Sequence, residues 1–113
     1  MLQRDQPIPV WGRAAPGCLV EVRLAGLQAR VEAGPEGRWS LRLPPLAAGG
    51  PHVLEVIAGA ESLRRENILI GEVWLCAGQS NMEWTPTLLD PEGHGPAVEP
   101  DPELRLLTPS CAC

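Results

Sequence analysis

The sequence predicts a mainly β protein, in which a small antiparallel β-sandwich over residues 1–70 is followed by the beginning of a second domain over residues 71–113. Three observations predict this class. The 113 residues include 13 prolines and 12 glycines, which divide the chain into short segments and leave little room for long helices. Six of these segments read as short strands, and the clearest alternate apolar and polar residues, as half-buried strands do. After Gly71 the pattern changes to a run that is apolar throughout.

The composition narrows the classes of function. Hydrophobic residues make up 44% and charged residues 20% of the chain, which fits a globular protein better than a disordered or membrane-spanning one. No apolar run reaches the length of a transmembrane helix. The net charge is -5, and all nine basic residues are arginines scattered among acidic ones. Nucleic acid and membrane surfaces are therefore not expected as partners.

The cysteines and histidines do not predict a metal site. Cys18, Cys76, Cys111 and Cys113 form no Cys-x-x-Cys pair, and the chain has only two histidines. We expect no metal and no cofactor. Cys76 is expected to be a small buried hydrophobic residue. Cys111 and Cys113 are expected in a frayed chain end, and the sequence does not decide whether they form a disulfide. The first residues lack a secretory leader, and the sequence leaves the compartment open.

The first three strands of the predicted sandwich follow one another closely. Residues 8–12 suit an edge strand, because Pro9 has no N–H to donate to a ladder. Residues 18–24 alternate with period two, and residues 28–33 repeat the alternation after Gly26, which predicts a hairpin. The side chains expected on one face of these strands are Val20, Val22, Leu24, Ala29, Val31 and Ala33.

Three more strands complete the predicted sandwich. A Gly-Pro-Glu-Gly turn precedes a strand at residues 38–43, in which Trp39 is expected to anchor the core. Two prolines end that strand, and the next is expected at residues 52–58. The sixth, at residues 63–70, leads directly into the apolar run.

The apolar run is followed, three residues later, by a single serine, Ser80. Residues 73–77 are typical of a strand buried on both faces, and Gly78 ends it. Ser80 and Glu83 then fit a Ser-x-x-Glu capping box that opens a helix. The Ser80 hydroxyl would lie at the positive end of that helix, beside free backbone N–H groups, in a geometry that suits an oxyanion.

The spacing around Ser80 is also compatible with an ordinary helix cap, so it does not by itself assign a nucleophile. The motif is not the Gly-x-Ser-x-Gly elbow of α/β-hydrolases, because Met82 occupies the place of the second glycine. It is not a phosphate-binding loop either, since no Gly-Lys-Ser or Gly-Lys-Thr follows.

The segment after Trp84 is rich in proline and glycine and is expected to be irregular, with a short strand at residues 104–107. His94 is the only histidine that follows Ser80. Asp90 precedes it by four positions, which is the wrong spacing for Asp-x-x-His. A solvated loop histidine is therefore the expected role of His94.

A collinear set of short motifs runs from Leu2 to about Trp84, and Gly-Gln-Ser-Asn-Met at 78–82 is the specific part. The others are Leu-Gln-Arg-Asp at 2–5, Pro-Val-Trp-Gly at 9–12, Pro-Gly at 16–17, Gly-Arg-Trp at 37–39, Leu-Pro at 43–44, Gly-Gly-Pro-His at 49–52 and Gly-Glu-Val-Trp-Leu-Cys-Ala at 71–77. Together they resemble the N-terminal part of a sialate O-acetylesterase, a carbohydrate esterase of the SGNH-hydrolase superfamily.

The resemblance implies a fold and a site. In that family a β-sandwich precedes an α/β/α SGNH domain, so residues 71–113 would be the first strand and turn of an incomplete domain of this kind. The serine of Gly-Gln-Ser-Asn is the family's nucleophile, which implies that Ser80 is catalytic and that its backbone N–H contributes to the oxyanion hole. Only Ser80 carries over from the family in this way. Beside it, Gly78, Gln79 and Asn81 are candidates for the oxyanion hole and pocket, with Glu83 also at the pocket mouth, although roles in capping and strand-end hydrogen bonding are equally open.

The resemblance also implies that this chain is incomplete. The family's base and its orienter come from a late Asp-x-x-His that these 113 residues do not contain. The implied partners are an O-acetylated carbohydrate, such as a sialic acid, and the missing C-terminal part of the SGNH domain. The implied function is a serine-dependent acetylesterase of which this chain alone is an inactive fragment. The family is often exported or lysosomal.

An alternative function from a different class stays open. The β-sandwich can be an autonomous carbohydrate-binding or interaction module, with the Ser80 segment only as its structural terminus. A sugar that saturates residues 1–70 alone would favour this module over the esterase fragment.

Overall fold

The computed structural model describes residues 1–80, 84–95 and 99–107, and over these residues the chain forms seven strands and one short helix. The mainly β class predicted from the sequence is confirmed. The elements are β1 (Leu2–Gln3), β2 (Ile8–Arg13), β3 (Leu19–Leu24), β4 (Leu27–Glu32), β5 (Arg38–Leu43), β6 (Gly49–Ala58), β7 (Glu61–Gly71) and α1 (Pro86–Leu89).

The strands form two sheets. One has five strands in the order β1-β7-β6-β3-β4, and the other pairs β2 with β5. All neighbouring pairs are antiparallel except β1 and β7, which run parallel with Leu2 opposite Ile70. The expectation of an entirely antiparallel sandwich is therefore wrong at this edge. Two residues are too few to show an alternation, so the sequence pattern could not reveal β1.

The core lies between the two sheets. Trp39 is 8% exposed, which confirms its predicted role as an anchor. Residues of both sheets belong to one buried cluster, so the sheets are the two layers of a sandwich. The members of that cluster are Ile8, Val20, Val22, Leu24, Ala33, Trp39, Leu43 and Ile70. The predicted inward face of β3 is thereby confirmed.

Two glycines allow the two-stranded sheet to form. Gly37 has φ 73°, and a Cβ there would lie 2.6 Å from the carbonyl oxygen of Ala14, so the turn before β5 needs a residue without a side chain. A Cβ on Gly12 would lie 2.9 Å from the indole Cζ2 of Trp39. Gly12 thus leaves room for the ring that fills the core beneath β2.

After β7 the chain leaves the sandwich. It divides into two units, Met1–Val73 and Trp74–Cys113. Residues 73–77 do not form the predicted buried strand, and Trp74 and Leu75 are 82% and 92% exposed. The physical reason is that a strand buried on both faces needs neighbouring strands and covering helices, and the described residues supply none for it.

Two further expectations are wrong for the same reason. Residues 104–107 form no strand, since no described strand lies beside them to complete a ladder. Cys76 is exposed instead of buried. Cys111 and Cys113 lie outside the described residues. No helix in the described part of the chain has the length and apolar character needed to cross a bilayer.

Candidate active site

The segment that leads to Ser80 is tied to the sandwich at its beginning. The Gln3 side-chain oxygen accepts a hydrogen bond from the Val73 N–H at 2.9 Å, and its amide nitrogen donates to the Glu72 carboxylate at 3.1 Å. The Arg4 N–H donates to the Gly71 carbonyl oxygen at 2.9 Å. The N-terminal residues therefore hold the place at which the chain leaves β7.

The predicted site residues lie at the end of this segment. Gly78, Gln79 and Ser80 are exposed, and Ser80 lies in a 3-10 helical turn. Among the described residues, none forms a hydrogen bond with the Ser80 hydroxyl. Asn81 and Glu83 lie outside the described residues, so the pocket role of Asn81 and the capping box stay predictions.

His94 lies in an exposed loop. Its Nδ1 is 3.4 Å from a Glu92 carboxylate oxygen and 3.9 Å from an Asp90 carboxylate oxygen, and its side chain is 76% exposed. Asp90 also accepts a hydrogen bond from the Gly95 N–H. Within the described residues no hydrogen bond joins His94 to Ser80. The arrangement is the solvated loop histidine that the sequence predicts.

One buried charge was not predicted. Glu21 alternates with Val20 and Val22 and so lies on the other face of β3, yet it is only 9% exposed, because the side chains of Arg23 and Arg30 lie against it. Arg30 Nε donates to Glu21 at 2.6 Å. This hydrogen bond lowers the pKa of Glu21; burial opposes the effect, and Arg23 adds to it. The spacing of Arg23 along β3 was a visible signal, whereas the approach of Arg30 depends on the hairpin register.

A second unpredicted feature is a basic, aromatic surface on the outer side of the two-stranded sheet. In sequence the arginines are scattered, but the register of β2 with β5 brings three of them to one face. We call this surface the Trp11 face; its residues are Pro9, Trp11, Arg13, Arg38, Ser40 and Arg42. The alternate positions of the two strands were the signal that could have found it.

Known proteins resemble the chain over most of its described length. No protein-family model matches it. Curated sialate O-acetylesterases are similar: the mouse protein is 36% identical over 88 residues and the human protein 35%, each match covering 67% of this chain and 16% of the relative. The crystal structure of a carbohydrate acetylesterase from Xanthomonas citri is 49% identical with a TM-score of 0.70, over 74% of this chain and 19% of that one.

All of these similar proteins are acetylesterases, and they come from mammals and from a bacterium. The chain spans 16% of the length of the curated relatives, so the likeness concerns a part of each protein. Identity of 49% with a solved structure of TM-score 0.70 extends the likeness to the fold itself. The chain belongs to the sialate O-acetylesterase family.

Proposed function

We propose that this chain is part of a carbohydrate O-acetylesterase and that Ser80 is its nucleophile. The observation that carries the proposal is the position of Ser80: it follows directly on a segment anchored to the sandwich by Gln3, in a chain of an acetylesterase family. Ser80 is exposed, so a substrate can reach it.

The reaction is acyl transfer. Ser80 Oγ attacks the acetyl carbonyl carbon of an O-acetylated sugar such as a sialic acid, and the bond from that carbon to the sugar oxygen breaks. The sugar leaves as an alcohol with the proton from the serine, and an acetyl ester remains on Ser80. Water then attacks this ester, which releases acetate and restores the hydroxyl.

The oxyanion that forms in each step needs donors. The backbone N–H of Ser80 is the donor proposed for this chain, with Gly78 allowing the close approach of the substrate. Gln79 and Asn81 are proposed to border the pocket. Their amide side chains can donate to or accept from sugar hydroxyls.

The base must come from residues beyond these 113. A serine hydroxyl is a weak nucleophile without an adjacent base, and the sequence contains no Asp-x-x-His. We therefore propose that this chain alone is inactive. The exposed side chains of Val73, Trp74 and Leu75 support the proposal, because they suit a strand that the remainder of an α/β/α domain covers.

The same reasoning assigns the domains. Residues 1–70 are proposed as the β-sandwich and residues 71–113 as the start of the catalytic domain. The core cluster lies wholly within the first range, so the sandwich has its own hydrophobic interior. Residues 71–113 contribute nothing to this core cluster, and we propose that they need additional residues to form a hydrophobic interior.

The test is acetate release from an O-acetylated sialic acid and from p-nitrophenyl acetate by a longer protein that contains this chain and the residues downstream of it. Ser80→Ala is expected to lower kcat by roughly 10⁴-fold or more with an unchanged fold. Ser62→Ala, at an exposed serine on β7, is the matched control and is expected to be fully active.

Two results would contradict the proposal. Undiminished activity of Ser80→Ala in the longer protein would remove Ser80 from the role of nucleophile. Acetate release by the isolated 113-residue chain that Ser80→Ala abolishes would show that the chain needs no further residues.

A further inference from the structure

The Trp11 face has an open aromatic side chain at its centre. Trp11 lies directly opposite Ser40 across the two strands, and Arg13 lies opposite Arg38. The serine side chain opposite it is small, and Trp11 is 72% exposed. Trp74 is more exposed still, but it lies in no strand, whereas Trp11 lies in a paired strand of the sandwich. Tryptophan buries a large apolar area when it has a structural role, and Trp11 does not do so here.

The charges of the Trp11 face are largely unpaired. Like charges directly opposite each other destabilise an antiparallel pair, yet Arg13 and Arg38 occupy such positions. Arg38 lies 4.0 Å from Glu36, with both side chains strongly exposed, so that contact contributes little. Among the described residues, none forms an ion pair with Arg13 or Arg42.

On the five-stranded sheet, by contrast, three arginines form ion pairs with glutamates. Arg23 and Arg30 both contact Glu21, and Arg64 contacts Glu55 at 3.2 Å and Glu66 at 3.1 Å. The chain has 14 acidic residues and a net charge of -5, so carboxylates are not scarce. The unpaired guanidinium groups on the Trp11 face are therefore a property of that face and not of the composition.

The chemistry of the face selects a ligand class. A guanidinium group matches the geometry of a carboxylate, and Arg13 and Arg38 offer two from directly opposite positions. An open indole offers an apolar platform to the C–H side of a sugar ring. A shallow cleft of about 450 Å³ lies there, lined by Trp11, Gly12, Arg13, Arg38, Trp39 and Ser40. We infer that the Trp11 face binds a carboxylated pyranose, with its ring on Trp11 and its carboxylate held by Arg13 and Arg38.

The face is too small and too weakly charged for a nucleic acid. Sequence-independent binding to DNA draws its affinity from many phosphate contacts, about 6–10 in a typical protein. The Trp11 face offers three arginines in a chain of net charge -5. A single carboxylate in a sugar needs only the two that stand opposite each other.

The inferred site does not depend on the proposed esterase reaction. It lies within Met1–Val73 and uses no residue of the Ser80 segment. A sugar bound there would be held by the sandwich and not by the catalytic residues. Loss of binding at the Trp11 face would leave the role of Ser80 untouched, and the reverse also holds.

The test is a titration of the 113-residue chain with N-acetylneuraminic acid, followed by NMR through the indole N–H signals. Because the contacts are exposed, we expect a dissociation constant on the order of 1 mM. The methyl ester of the same sugar, which lacks the negative charge, is expected to bind at least about tenfold more weakly.

Single variants locate the site on the face. Trp11→Ala and Arg13→Gln are each expected to weaken binding by about tenfold or more, and both keep the fold because the side chains are exposed. Arg65→Gln is the matched control: it makes the same change in net charge on β7, in the other sheet, and is expected to bind as the unaltered chain does.

Several results would overturn the inference. These are equal binding of the acid and its methyl ester, unchanged binding by Trp11→Ala, or equal losses in Arg65→Gln and Arg13→Gln. The absence of any shift of the Trp11 indole signal would also overturn it. A single-stranded oligonucleotide that binds more tightly than the sugar would replace the carbohydrate with a polyanion.

Discussion

At the scale of single residues, Glu21 shows how a charged side chain can be buried on the outer face of a sheet. Two guanidinium groups, from Arg23 and Arg30, satisfy both carboxylate oxygens. Their effect lowers the pKa of Glu21 below its ordinary value of 4.5. The folded state therefore favours the ionised carboxylate more than the unfolded state does.

Glu21→Gln is expected to lose stability in a pH-dependent way. A depressed folded pKa contributes stability above the unfolded value of 4.5, and this contribution disappears as pH falls through the lower, folded value. The difference in free energy of unfolding between the unaltered chain and Glu21→Gln should thus be largest near neutral pH and shrink below pH 4.5. Urea unfolding at a series of pH values measures it.

Glu61→Gln is the control for Glu21→Gln, since Glu61 is exposed on the same sheet and lies in no ion pair with the described residues. It should leave the slope of stability against pH nearly unchanged. If Glu21→Gln and the unaltered chain had the same slope, Glu21 would not carry this linkage.

The sequence predicted residues whose position follows from their own strand. Val20, Val22 and Leu24 alternate along β3 and are buried, and Trp39 is a core anchor. Glu21 could not be predicted, because its burial depends on Arg30, nine positions away on the neighbouring strand. Ser80 stood out through the motif around it and not through periodicity.

At the scale of elements, the pairing of β2 with β5 places Arg13 opposite Arg38. Arg13→Glu replaces this repulsion with an attraction, and we expect it to raise the free energy of unfolding by about 0.2–1 kcal/mol. The same change should abolish binding of the carboxylated sugar. Urea unfolding of Arg13→Glu and Arg13→Gln measures the two contributions, since glutamine only removes the repulsion.

The order of stability expected in that series is glutamate above glutamine above arginine. An arginine at position 13 that proved the most stable of the three would mean that the two guanidinium groups do not repel each other. Stability gained together with binding lost would instead mark Arg13 as a residue kept for its ligand.

The strands were predictable to the extent that each carries its own pattern. The bounds of β5 agree with the predicted 38–43, and β2, β3 and β4 agree within one residue. β6 begins three residues earlier than predicted, because Gly49–Pro51 join the strand. Residues 73–77 have the composition of a strand, but no described strand lies beside them to form the hydrogen bonds of a ladder.

At the scale of the whole molecule, the exposed apolar segment after β7 is expected to cause self-association. Val73, Trp74 and Leu75 are three consecutive exposed apolar residues, and exposed apolar surface of this kind favours association. A chain shortened to residues 1–73 removes the last two and retains the core cluster. Sedimentation velocity should show the shortened chain as a monomer at concentrations where the 113-residue chain associates.

A full-length variant with Trp74→Ser and Leu75→Ser separates apolar exposure from chain length, and it should behave like the shortened chain. The association model would fail if the unaltered 113 residues were monomeric, with amides protected from hydrogen exchange through Cys76. Such protection would mean that the segment is already covered.

The family could be predicted from the sequence because the motifs from residue 2 to 84 occur in a fixed order. The complete site could not, since a catalytic serine, its base and its oxyanion donors come together only when the whole domain is present. The chain spans 16% of the length of its curated relatives, and Ser80 is the one such part proposed for it.

The parallel pairing of β1 with β7 bears on the order in which the protein folds. Gln3 and Glu72 are 69 positions apart, whereas β3 and β4 meet across a short turn. Closing the longer loop costs more chain entropy, so we expect β1 to dock after the hairpins have formed. During synthesis, β1 would emerge well before β7 and yet be among the last strands to pair, and the free edge of β7 would stay open to other strands until it does.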